Sequence, residues 1–127
     1  MRTLIKGLAL ALSTSFIVAC GGGGGPMEAG LKHEMAMLKI IEANKTDVAK
    51  ATTELEAYLK TNEADIKAQK EALAAVKADP DTSKISAMGK ASLETRMEVS
   101  KLQVSLREGA KDVLNDAKVS ELLDNVR

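Results

Sequence analysis

From about residue 27 onward, apolar and polar positions follow one another with helical spacing. Leu31, Met35, Leu38 and Ile41 recur at steps of four, three and three. That lays one apolar stripe along a cylinder and predicts a first helix over 28–43. Asn44-Lys45-Thr46-Asp47 ends it and offers Thr46 or Asp47 as the cap of the next. Over 47–78, Val48, Thr52, Leu55, Leu59, Asn62, Ile66, Gln69, Leu73 and Val76 alternate steps of four and three. This is a heptad seam of coiled-coil type, interrupted by Thr52, Asn62 and Gln69. Unbroken, it would span about 48 Å, and Thr61-Asn62-Glu63 is where a break or kink is expected.

Asp79-Pro80-Asp81-Thr82-Ser83 reads as a chain reversal. Pro80 disfavours helical geometry at Asp79, and Asp81, Thr82 or Ser83 can cap the next helix. The stepping resumes over 83–108 with Ile85, Met88, Ser92, Thr95, Val99, Leu102 and Leu106, and Leu93, Met97 and Val104 are expected to broaden that stripe. Gly109 weakens helix by about 1 kcal/mol relative to Ala, so it marks an end or a bend before a last segment over 111–125.

The domain is rich in Ala, Lys, Glu and Leu and has no alternating β-branched runs. The expected fold is therefore all-α: a small antiparallel helical hairpin closed across the Asp79–Ser83 turn, with the shorter segments packed on it. That makes a bundle of three to five helices in one domain, 27–127. The polar seam residues Thr52, Asn62 and Gln69 have two readings. They fix register or oligomer state, or they face a groove that receives a partner helix. With Phe16 ahead of the domain, Tyr58 is its only aromatic residue, and there is no Trp. A core of Leu, Ile, Val, Met and Ala makes a slim bundle with modest burial per residue.

The first 26 residues have another character. Arg2 and Lys6 precede an uncharged, mostly apolar run from Gly7 to Ala19, and Cys20 follows a small residue. Basic region, apolar region and small-residue site, in that order, are what an export signal needs. The run is too short to span a bilayer, which takes about 20 apolar residues. Ile17-Val18-Ala19-Cys20 resembles the lipobox of bacterial lipoproteins. The resemblance covers these N-terminal residues only. It implies a signal peptide at 1–19, cleavage before Cys20, and a diacylglyceryl group on the Cys20 sulfur with acylation of the new amino group. Several acyl chains hold a protein on a bilayer, at about 0.8 kcal/mol per buried methylene. Lipoproteins retained at the inner membrane carry Asp after that Cys. Gly21 resembles the outer-membrane sorting pattern instead, so the expected location is the cell envelope, on the outer membrane facing the periplasm. Gly21 to Gly25, ending at Pro26, read as a flexible tether, with Cys20 giving it bounds of 20–26.

A lone Cys rules out an intrachain disulfide. Loss of Arg2 and Lys6 with the signal leaves sixteen of the 18 basic residues against 18 acidic ones. Near neutrality argues against a nucleic-acid partner. His33, Met35 and Met37 are the candidate metal ligands, since imidazole and thioether suit Cu(I). Residues two apart on a helix point to nearly opposite sides, however, and Met35 fits the core stripe. No metal and no cofactor are expected, and His33, the only histidine, is expected on the surface of its helix. Carboxylates such as Glu94 and Glu98, or Asp112 and Asp116, alternate with Lys and Arg as on a solvated face. No Ser-His or Cys-His pairing is on offer, so no enzyme is expected. The expectation is a membrane-anchored lipoprotein whose helical domain is a structural or protein-interaction module, docking an envelope partner or self-associating. A small-ligand or copper carrier is the alternative. Small helical lipoproteins that pilot outer-membrane secretion pores are similar in general make-up, though many carry a disulfide. The murein-bound lipoprotein family ends in a cross-linking Lys, where this sequence reads Asn125-Val126-Arg127.

Overall fold

The computed structural model describes residues 25–127. Those residues form seven α-helices and one 3-10 turn, with no strand among them. The helices are α1 Gly25–Ala43, α2 Val48–Thr61, α3 Glu63–Ala78, α4 Ser83–Ala91, α5 Leu93–Gly109, α6 Lys111–Leu114 and α7 Ala117–Leu123, and Asp124–Val126 close the chain in 3-10 geometry. The stretch expected to be a signal peptide, the lipobox-like Ile17-Val18-Ala19-Cys20 and Cys20 itself lie outside the described residues. Gly25 and Pro26, the end of the expected tether, are the first residues of α1. Gly25 takes a left-handed φ of 52°, which glycine adopts without a Cβ clash, and Pro26 sits where a missing N–H costs a helix nothing.

The all-α bundle stands. Its helices number more than five because single residues interrupt the rods. Asn62 has ψ 14° and turns its side-chain amide back to the Tyr58 carbonyl at 2.9 Å. Ser92 has ψ 3°, is wholly buried, and divides the expected 83–108 helix into α4 and α5. Ala110, next to Gly109, divides α5 from α6. The other boundaries follow local chemistry. Asp47 caps α2 by accepting the Lys50 N–H at 3.0 Å, and Asp116 caps α7 through the N–H groups of Lys118 and Val119. In the 79–83 reversal the Asp81 N–H, then the Lys84 ammonium, hold the Asp79 carboxyl below its ordinary value.

The packing order differs from a closed hairpin. α1 lies between α3 and α5 and packs against both, while α2 packs on α7. The first helix is thus the centre of the bundle. Its inner face carries Ala29, Gly30, His33, Met37, Leu38 and Ile41, all buried. They meet Leu55 of α2, Ile66 of α3, Val99 and Leu106 of α5, and Val113, Val119 and Leu123 beyond. Each fully buried side chain of this kind contributes about 1.5–3 kcal/mol of transfer free energy. The seam over 48–76 points inward throughout, with Ile66 and Gln69 buried and Val48, Leu59, Leu73 and Val76 partly so. Leu93, Met97 and Val104 do not join the core. They are 54%, 52% and 60% exposed in a row on the outer face of α5, because α1 covers only the side bearing Val99 and Leu106.

Candidate functional site

Three polar arrangements cross between helices, and none joins residues close in sequence. The first is centred on His33. It is buried to 1% exposure, which corrects its expected place on the surface. Its Nδ1 lies 2.7 Å from the Tyr58 hydroxyl and its Nε2 lies 2.8 Å from Asp65 Oδ2. The two rings meet edge to face with centroids 5.8 Å apart. Burial first, and the Asp65 charge second, push the Tyr58 phenol up to about 12. The phenol therefore stays neutral and hydrogen-bonded to Nδ1, while Nε2 engages Asp65. The chain ties α1 to α2 and α3. It shifts the Tyr58 hydroxyl away from ionisation, the opposite of what activates a nucleophile or base at neutral pH.

The candidate metal ligands do not converge. His33 has both ring nitrogens engaged, Met37 is wholly buried in the core, and Met35 packs half-buried against it. Met35 thus packs on the core as its place on the stripe predicts, and Met37 is buried as well because α1 is enclosed on more than one side. Among the described residues no three His, Cys, Asp or Glu side chains are grouped to hold a metal ion.

The second arrangement is centred on Glu34, 8% exposed. Its Oε2 accepts from Gln103 Nε2 at 2.7 Å and from Arg127 Nε at 2.9 Å. Helices α1 and α5 and Arg127 are so joined at one carboxylate. Bonds of this charge-assisted kind are about twice as strong as neutral ones. Thr95 donates to Glu28 at 3.1 Å farther along the same α1–α5 seam.

The third is a groove of about 460 Å³ between α1 and α3, opened by Gly30. Gln69 of α3 lies against that glycine so closely that a Cβ there would stand 2.9 Å from Gln69 Nε2. Gln69 is 9% exposed, and its buried Oε1 has no hydrogen-bond partner among the described residues. Leu31 and Leu73 line the groove beside it, and Lys70, Lys77, Arg96 and Arg127 rim it. A neighbouring groove of about 570 Å³ along α3 mixes Lys60, Lys67 and Lys70 with Glu63 and Glu71.

Sequence reasoning placed Gln69 on the seam and left its role open. It missed the burial of His33 and Glu34, whose partners lie 25 to 93 residues away and carry no local signal. No family model matches the chain, and no curated protein or solved structure matches it. Among the described residues no helix is long and apolar enough to cross a membrane.

Proposed function

We propose that this chain is a membrane-anchored lipoprotein, cut before Cys20, whose helical domain is a non-enzymatic protein-interaction module of the cell envelope, on the outer membrane facing the periplasm. The anchor rests on the order Arg2, Lys6, apolar run and Ile17-Val18-Ala19-Cys20. The observation that carries the docking role is the outer face of α5. Leu93, Met97 and Val104 stand at steps of four and seven on one helical face, each more than half exposed. Such a row is what an amphipathic helix of a partner covers with its own apolar stripe. Glu94 and Glu98 run along its edge, so the partner helix that fits carries Lys or Arg beside its apolar positions. Nothing in the placement of His33, Met35 and Met37 favours the copper-carrier alternative.

The test has two arms. Labelling cells with an alkyne fatty acid reports lipidation, which Cys20→Ala abolishes if the anchor is as proposed. In-cell cross-linking of the tagged protein, with mass spectrometry of the linked species, reports the partner. The expected result is one abundant envelope protein, linked through Lys90 or Lys101 and lost with Leu93→Glu/Met97→Glu. Links only between copies of this chain, or links indifferent to that double substitution, overturn the docking role.

A further inference from the structure

We infer that the groove between α1 and α3 is a second recognition site, which takes a short acidic peptide segment with an apolar centre. The inference rests on the interaction-module reading and adds the chemistry of what is recognised.

Three features of the groove set that chemistry. The first is charge. Lys70, Lys77 and Arg96 form no ion pair among the described residues, and the Arg96 guanidinium donates to the Met27 sulfur at 3.4 Å. Glu34, the one carboxylate in the lining, is already taken by Gln103 and Arg127. The rim therefore presents uncompensated positive charge and attracts an anion. The second is spacing. Lys70, Ala74 and Lys77 occupy positions i, i+4 and i+7 of α3, so the two ammonium groups stand on one face about 10 Å apart along the axis. Leu31 and Leu73 lie beside that line. A peptide in polyproline II conformation rises about 3.1 Å per residue with three residues per turn, so its side chains three apart lie on one face about 9 Å apart. Acidic side chains three apart, with apolar residues between them, match both ends and the middle.

The third feature is the orphaned acceptor. Buried polar groups are almost always hydrogen-bonded, and one left alone calls for a cause. Gln69 is more than nine-tenths buried, lines the groove, and has an Oε1 that nothing in the described chain satisfies. A peptide N–H is a donor for it, and a peptide carries one at every non-proline residue. Gly30 belongs to the same device. Any larger residue there would drive its Cβ into the Gln69 amide and fill the space the segment needs.

The test uses the full chain, labelled with nitrogen-15, and a capped tetrapeptide with Glu at both ends and two Leu between. Amide resonances of Gly30, Gln69 and Lys77 are expected to shift saturably, with a Kd on the order of 1 mM. Lys77→Glu is expected to weaken binding about tenfold, and Gln69→Met about fivefold, with the fold checked by the unshifted remainder of the spectrum. The same peptide with Lys at its ends is expected to leave the spectrum unchanged. No saturable shift, equal binding of the Lys-ended peptide, or indifference to Lys77→Glu overturns the site. A cellular partner cross-linked solely along the outer face of α5, together with no peptide shift, overturns this groove and leaves the docking role standing.

Discussion

An alkaline titration of Tyr58 probes the centre of the bundle directly. Tyrosine in an unfolded chain ionises near pH 10. In the fold, burial against His33 and then the negative charge of Asp65 push Tyr58 up to about 12. The folded state therefore keeps a proton that the unfolded state loses. The stability linked to this group is fully present below pH 10 and is lost as pH rises through 12. Two pKa units correspond to about 2.7 kcal/mol at the limit. Tyr58 is only partly buried, and solvent screening reduces the expected loss to about 1–2 kcal/mol. The assay is simple because Tyr58 is the only tyrosine and there is no Trp. The near-ultraviolet tyrosinate band of the folded protein gives the midpoint, and urea unfolding below pH 10 and near pH 12 gives the stability change. Asp65→Asn removes the smaller cause and keeps the larger, so its midpoint should fall part of the way toward 10. A midpoint at 10 in the folded protein, or a full return to 10 in Asp65→Asn, refutes the placement of the phenol.

Gln69→Met replaces a buried amide that has an unsatisfied oxygen by an apolar chain of similar shape. It should raise stability by about 1–2 kcal/mol and Tm by roughly 4–8 °C for each kcal/mol; a lowered Tm in thermal circular dichroism would show that Oε1 has a partner. Gly30→Ala gains about 1 kcal/mol of helix propensity but sets its Cβ 2.9 Å from Gln69 Nε2, so the gain should appear whole only in a Gln69→Ala background. Additive changes in that double-mutant cycle would show that the two residues do not touch. Leu106→Ala opens a cavity where α5 meets α1 and should cost about 2–5 kcal/mol in urea unfolding; a loss under about 1 kcal/mol would place Leu106 outside the core.

Much of the chemistry that acts over a few residues was legible. Asp47 as a cap, the interruption at Asn62 and the reversal at Asp79–Ser83 all stand where residue types put them. The break at Ser92 was not legible. Ala91 and Leu93 favour helix, and the serine is bent out of helical geometry inside a packed core. The division at Asn115–Asp116 was legible in principle, since Asp116 is a good cap ahead of an apolar run, but the helical spacing on both sides hid it. His33 sits between Lys32 and Glu34, which reads as a wet face. Its burial follows from the arrival of α2 and α3, which no window around residue 33 contains. The exposed row Leu93, Met97 and Val104 has the converse cause. Periodicity says which residues share a face and says nothing of how many neighbours come to cover it.

The central position of α1 also bears on time. A chain is made N-terminus first, at about 5–20 residues per second. Glu34 must wait 69 residues for Gln103, which at that speed is about 3–14 seconds. Through that interval Met37, Leu38 and Ile41 have no α5 to close on. The helix that ends as the most enclosed part of the molecule is the longest exposed during its birth, and it is the stretch that a holding chaperone would have to cover.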